Sequence, residues 1–238
     1  MAPILLMYHY IGHPPGNARI HGLFATPGQL EWQLRLLIKQ GFNFTTFLET
    51  GNDRYLKLPE KTVIITFDDG SDTILKQAFP ILKKLGIPAV VFPVTGFIGQ
   101  SNKLMAGSAN NVPVSFLTRE EIRFLSDEGM EIGSHMHTHT AADQLSDASL
   151  VRELDHSKKI LEEITGKPVI TLAYPYGIFD LRTVEEAKKA GYKFGMTTNK
   201  PPLSNDPLMQ LQRFSVKGTR WHHPVHFLKN SFNRFRKG

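Results

Sequence analysis

The sequence predicts an α/β fold built on parallel strands, and three observations carry that expectation. Short apolar, β-branched runs recur along the whole chain, at Ile4–Tyr8, Thr62–Phe67, Ala89–Val94, Glu131–Ser134, Val169–Ala173, Lys193–Thr197 and Leu211–Val216. Segments with helical periodicity and helix punctuation separate them, which is the alternation of β-α-β units. The 238 residues, 41% of them hydrophobic, suit one large domain with a single core. A closed barrel and an open, doubly wound sheet both satisfy this pattern. The chain lacks a Gly-rich dinucleotide fingerprint and a phosphate-binding loop, which weighs against an open nucleotide-binding sheet.

In chain order, Ile4–Tyr8 reads as a buried strand. It is too short for the core of a signal peptide and lacks flanking basic residues and a small-residue cleavage site, which predicts a cytoplasmic chain. Thr26-Pro27 is an N-cap followed by a proline at the first helical position; Leu30, Leu34, Leu37 and Ile38 then share a face until Gly41. Thr118 and Glu121 form a capping box ahead of Ile122 and Leu125. Leu150, Leu154, Leu161 and Ile164 keep a helical stripe that Gly166-Lys167-Pro168 ends, and Leu181, Val184 and Ala187 do the same before Gly191. Gly99–Pro113, rich in Ser, Asn and Gly, reads as a long surface loop near the mouth of the fold.

Composition excludes several function classes. No apolar run reaches the ~18–20 residues of a spanning helix. With no cysteine there is no disulfide, thiol nucleophile or thiolate metal site. The net charge of +6 suggests a basic protein, yet residues 1–206 hold 21 basic and 22 acidic side chains. The excess belongs to Arg213, Lys217, Arg220, Lys229, Arg234, Arg236 and Lys237, so a diffuse nucleic-acid-binding surface is disfavoured. The chain thus divides into a domain over 1–206 and a last strand with a basic, aromatic tail over 207–238. Trp221, Phe227, Phe232 and Phe235 interleave with that charge, which suits either packing on the domain or contact with an anionic membrane. His222, His223 and His226 in this tail read as solvated.

The polar residues of interest share one topological address, the C-terminal ends of strands. His9 follows the first strand, Asp68-Asp69 the second, and His135, His137 and His139 the strand from Glu131; Tyr174-Pro175-Tyr176-Gly177 follow Val169–Ala173. In a parallel α/β fold those ends meet on one face, where active sites form. Adjacent aspartates point different ways, so one can bind a metal while the other faces a water. His135 and His139, four apart, would share one face of a helical turn, and His137 competes with either as a ligand. One Asp and two His make an open three-ligand site, able to polarise a carbonyl and to lower the pKa of a bound water towards ~7.

Thr66-Phe67-Asp68-Asp69-Gly70, Glu131-Ile132-Gly133-Ser134-His135-Met136-His137-Thr138-His139 and Ala173-Tyr174-Pro175-Tyr176-Gly177 resemble, in order, the motifs of polysaccharide deacetylases, carbohydrate esterase family 4, with the NodB-homology domain. The resemblance runs from Ile4 to Asn199. Leu6-Met7-Tyr8-His9 and the Tyr-Pro-Tyr-Gly form are similar to the branch that includes poly-N-acetylglucosamine deacetylases. The resemblance implies a single distorted (β/α) barrel of seven or eight parallel strands that removes acetyl groups from N-acetylated sugars with a divalent metal: Zn²⁺ first, with Co²⁺, Ni²⁺ or Fe²⁺ also suited. By motif position it implies Asp68 as general base, Asp69, His135 and His139 as metal ligands, and Tyr174, Pro175 and Tyr176 at the substrate. The backbone N–H of Tyr176 would face the oxyanion, and His9 would protonate the leaving amine. Three features depart from the family pattern. Ala173 stands where many members carry an arginine that orients the base. Gly195–Asn199 occupies the place of an Asp-Trp motif, and the late Leu-x-His motif is not evident.

The expected function is therefore metal-dependent N-deacetylation of a glycan, or of a lipid-linked precursor at the inner face of the membrane. The competing expectations are removal of a formyl or O-acetyl group from a lipid-linked sugar, and a non-catalytic glycan-binding relative. Retention of the base, the ligands and His9 argues against the last.

Overall fold

A computed structural model describes residues 3–14, 21–55, 57–101, 103–104, 113–198, 203 and 205–216. Its principal strands are β1 (Ile4–Tyr8), β2 (Asn43–Phe44), β3 (Thr62–Phe67), β4 (Ala89–Val91), β5 (Glu131–Ile132), β6 (Thr171–Ala173), β7 (Phe194–Thr197), β8 (Leu211–Gln212) and β9 (Phe214–Ser215). The main helices are α1 (Pro27–Lys39), α2 (Phe47–Tyr55), α3 (Phe79–Leu85), α4 (Arg119–Asp127), α5 (Asp147–Thr165) and α6 (Leu181–Lys189). The fold is α/β with parallel strands. One sheet runs β9-β1-β3-β4-β5 with β2 beside β3, and a second runs β6-β7-β8; every pair in both is parallel.

Two backbone links join the sheets. A parallel bridge pairs Ser134, just past β5, with Leu172 of β6. The last expected strand, Leu211–Val216, is split at Arg213, whose N–H donates to Thr197 of β7 at 3.2 Å before the chain moves over to pair with β1. Residues 211–216 thus belong to the sheets, whereas 217–238, with the tail histidines and aromatics, lie outside the described residues.

Side-chain parity decides which residues reach the site. Ile4, Leu6 and Tyr8, Val63, Ile65 and Phe67, and Ala89 and Val91 pack outward in a core with the helix faces. The alternate residues Leu5, Ile64, Val90, Phe92, Ala173, Phe194 and Met196 form a second cluster between the two sheets, closed at one end by Phe47 and Tyr55 of α2. Continuing that inner parity along β1, β3 and β5 brings His9, Asp68 and His135 to the C-terminal ends. Gly133 has the same parity, and it has to be glycine: a Cβ there would lie 2.3 Å from the Phe92 ring and 2.4 Å from Thr171 Oγ1.

The helices start where their caps predict. Thr26 accepts from Gln29 N and Thr118 from Glu121 N, both as reciprocal capping boxes. On α1 the buried face is Leu30, Gln33, Leu34 and Leu37; Gln33 is tolerated there because its Oε1 accepts from Tyr8 Oη at 2.8 Å. Two residues assigned to apolar stripes are instead exposed, Ile38 at 43% and Leu181 at 55%, each at the edge of its stripe. Within the expected loop at 99–113, Lys103–Leu104 pairs antiparallel with Pro113–Val114, and 102 and 105–112 lie outside the described residues. No described helix is long and apolar enough to cross a membrane.

Candidate active site

The turn after β3 separates the two aspartates. Asp69 has φ 69° and Gly70 φ 76°, so the chain reverses tightly enough that a Cβ on Gly70 would sit 2.8 Å from Pro93 Cα. Asp68 keeps the inner parity of the strand, while Asp69 is swung towards the histidine segment. Both are buried.

Asp69 Oδ1 lies 3.6 Å from His135 Nε2 and 3.5 Å from His139 Nε2. Among the described residues these three form the one group whose ligand atoms all fall within 4.8 Å of one another. Ligands ~2.1 Å from a common ion at near-tetrahedral angles are themselves ~3.4 Å apart, so the donor set and spacing fit a divalent cation. His135 Nδ1 contacts the carbonyl oxygen of Ala173 at 2.7 Å; as donor there, it leaves Nε2 free for a metal. Burial, aided by the neighbouring His135, pushes the pKa of His139 down to about 4, so its ring is neutral near pH 7, the state that metal binding requires.

The histidines do not share a helical turn as expected. Residues 135–140 form an irregular loop in which Met136 and His139 both have φ 62°. Glu153 of α5 holds this loop: its Oε2 accepts from the N–H groups of His137 and Thr138 at 2.7 and 2.8 Å. His137, left open as an alternative ligand, points elsewhere. Its Nδ1 pairs with Thr95 Oγ1 at 2.9 Å, and its ring meets His156 edge-on at 4.6 Å.

Asp68 pairs with Arg213, and its Oδ2 also lies 4.0 Å from His135 Nε2, at the edge of the ligand set. Arg213 Nη1 and Nη2 donate to its two carboxylate oxygens at 2.6 and 2.7 Å, with both side chains buried. Burial works to raise the pKa of Asp68; the Arg213 guanidinium, with help from His135 and His9, prevails and holds it at about 2. Position 173 is an alanine, and the guanidinium beside Asp68 comes from Arg213, near the C-terminal end of the described residues. Its signal was present in the sequence: in Leu211–Val216, position 213 shares the parity of Leu211, which packs on the inner cluster.

His9 is half-buried and close enough for its charge to act on both Asp68 and His139. Tyr10, which no sequence motif singles out, donates from its hydroxyl to Asp69 Oδ2 at 2.8 Å. Tyr176, with φ 58°, is 51% exposed, and its ring lies 4.7 Å from that of His139, on the open side of the site. Tyr174 is different. It is fully buried, stacks on Phe179 at 4.9 Å and donates to the Met209 carbonyl, so its side chain is not available to a substrate as expected. Pro175 is buried beside it.

Residues 55–195 match the family model for polysaccharide deacetylase. The chain belongs to the polysaccharide deacetylase family. It is 29% identical over 206 residues to a putative polysaccharide deacetylase, YxkH, of Bacillus subtilis, covering 85% of this chain and 66% of that protein. It is 31% identical over 203 residues to the poly-beta-1,6-N-acetyl-D-glucosamine N-deacetylase of Staphylococcus aureus, covering 80% and 67%. The chain thus spans about two thirds of the length of these curated relatives. Among solved structures, a polysaccharide deacetylase from Bacillus cereus superposes with a TM-score of 0.78 at 28% identity, covering 97% of this chain and 69% of that one. The Streptococcus pyogenes deacetylase PplD, solved in complex with acetate, gives 0.78 at 26% identity, covering 96% and 97%.

Proposed function

We propose that this chain is a metal-dependent N-deacetylase that hydrolyses the acetamide of an N-acetylhexosamine in a glycan. The observation that carries the reading is the division of labour between two adjacent carboxylates. Asp69 joins two histidines in a ligand set, while Asp68 is held ionised by Arg213. Family membership and the Staphylococcus aureus relative support an N-acetylglucosamine polymer as the substrate class.

A divalent cation on Asp69, His135 and His139 would supply Lewis acidity to the acetamide carbonyl and to a water. Asp68 accepts the proton of the attacking water; its anionic state, secured by Arg213, makes it a base at any physiological pH. The backbone N–H of Tyr176, on the open side of the site, is our choice for the developing oxyanion. His9 delivers a proton to the departing amine, which otherwise would leave as an amide anion. Zinc is the metal we assign first; the Asp-His-His donor set suits cobalt, nickel and ferrous iron as well.

We further infer that the two sheets make one distorted barrel, a reading supported by the Ser134–Leu172 bridge and the crossing of the chain at Arg213. The Tyr-Pro-Tyr-Gly form supports placement near the poly-N-acetylglucosamine branch. Docking of the 217–238 tail on an anionic membrane, bringing a cytoplasmic enzyme to lipid-linked sugars, is a separate proposal. Liposome binding that survives truncation after Pro224 rules it out.

Acetate release from N-acetylglucosamine oligomers by the metal-loaded protein tests the main reading. Turnover that depends on added Zn²⁺, Co²⁺ or Ni²⁺ and falls by orders of magnitude in Asp68→Asn is the expected result. A folded, metal-loaded chain that deacylates no acylated sugar overturns it.

A further inference from the structure

Asp69 has two oxygens, and the structure gives them different partners. Oδ1 faces His135 Nε2 and His139 Nε2 at 3.6 and 3.5 Å, whereas Oδ2 accepts from Tyr10 Oη at 2.8 Å. The phenol is not a passing contact. Tyr10 is buried, its strand residues Tyr10–Ile11 pair with Phe24–Ala25, and its ring packs on Phe24 at 5.1 Å. That ring sits in an apolar cluster with Val94, Phe97, Val114 and Phe116, so the hydroxyl has little freedom to turn away.

We propose that Tyr10 is a positioning residue that restricts Asp69 to one-oxygen ligation of the metal. A carboxylate with both oxygens free can close on a divalent cation as a chelate. Here Oδ2 would have to give up a buried hydrogen bond and leave the Tyr10 hydroxyl without a partner, which costs more than the bond itself. Held through Oδ1 alone, Asp69 would offer a divalent cation a single donor atom. The same hydrogen bond orients the carboxylate before metal arrives, as outer partners of metal ligands generally do.

The inference rests on the metal-site reading above, and the two fail differently. Zn²⁺ and Co²⁺ are titrated into metal-free wild type, Tyr10→Phe and Phe24→Leu in competition with a chelator, and the visible spectra of the Co²⁺ forms are recorded. Tyr10→Phe keeps the ring and loses only the hydroxyl. It should bind about 10- to 100-fold more weakly, with a Co²⁺ spectrum that weakens as the freed oxygen raises the coordination number. Phe24→Leu loosens the packing but keeps the hydroxyl, and should retain the wild-type affinity and spectrum. Equal affinity and spectrum in Tyr10→Phe overturn the inference while the metal site stands, and so does an equal loss in Phe24→Leu. Failure of the wild type to bind either metal overturns both readings. Zinc-soaked crystals of the wild type give a check that needs no variant. Oδ1 at bonding distance with Oδ2 still on Tyr10 is expected; a chelating Asp69 overturns the inference.

Discussion

Asp68 and Arg213 lie 145 positions apart in the chain, yet they form a buried, two-pronged ion pair at the mouth of the sheets. Asp68 is set by the turn after β3 and Arg213 by the break between β8 and β9, so the pair ties the last strands to the chemistry. Thr66 Oγ1 adds a second tie, accepting from Arg213 Nη1 at 3.2 Å, and the Phe92 ring lies 5.6 Å from the guanidinium carbon. The guanidinium matches both carboxylate oxygens in one plane, which an ammonium cannot do.

Arg213→Met removes one partner of this pair and leaves the other charge buried. Such a loss costs about 3–5 kcal/mol, read as a lower midpoint in urea unfolding. Without the guanidinium, burial raises the Asp68 pKa, so the remaining activity should appear only at higher pH than in wild type. Arg213→Lys keeps the charge but not the fork, and should fall between the two. Wild-type turnover in Arg213→Met would show that Asp68 needs no partner.

Asp68→Asn tests the proposed base apart from the proposed ligands. Turnover should fall by a factor on the order of 10²–10⁴, while zinc affinity changes little, because Asp69, His135 and His139 remain. Stability should fall as well, since Arg213 then faces a neutral amide. Loss of zinc binding in this variant would move Asp68 into the ligand set.

Much of this site is written in the parity of the strands and the positions of their ends. His9, Asp68, Asp69, His135 and His139 each follow a short apolar run, and parallel strands bring those ends to one face. What escaped the sequence reading depends on tertiary geometry. By composition Arg213 groups with the tail lysines and arginines, because composition does not distinguish a buried guanidinium from a solvated one. Tyr10 sits beside His9 in an apolar setting and reads as core. The helical turn expected for His135 and His139 fails because Met136 and His139 take the left-handed conformation, and Glu153, 16 positions beyond His137, fastens that loop from a helix. Tyr174 and Tyr176, two residues apart in one motif, part company at the φ of 58° on Tyr176, one turned to the surface and the other into the core.

Metal removal should weaken the fold as well as the chemistry. A ligand present at about 100 times its Kd stabilises the folded state by ~2.7 kcal/mol, so adding zinc to the apoprotein should raise the Tm. His139→Ala should abolish that rise while changing the apoprotein Tm little. A zinc-dependent shift of equal size in His139→Ala would place the metal elsewhere.

Glu131 sets a pH dependence of stability that is separate from catalysis. It lies four residues before His135, at the other end of the same inner face. Its Oε2 accepts from Leu48 N at 2.8 Å, at the start of α2, and its Oε1 from Thr171 Oγ1 at 3.0 Å. Burial raises its pKa from 4.5 to about 7, outweighing the hydrogen bonds from Leu48, Thr171, Thr46 and Phe47 that favour the anion. The folded state then holds this proton more tightly than the unfolded chain. The stabilising contribution is complete below about pH 4.5 and is lost as the pH rises through 7. The shift corresponds to about 3 kcal/mol, or roughly 6–12 °C in Tm for a chain of this size. Glu131→Gln keeps the shape and an acceptor for Leu48 but cannot ionise. Measured from pH 5 to 8.5, the wild-type Tm should drop relative to that of the variant mainly between pH 5 and 7 and level off above that, with groups common to both proteins cancelling. A difference in Tm that stays constant over this range would mean that Glu131 does not change protonation there, and that its bonds to α2 hold it in one charge state throughout.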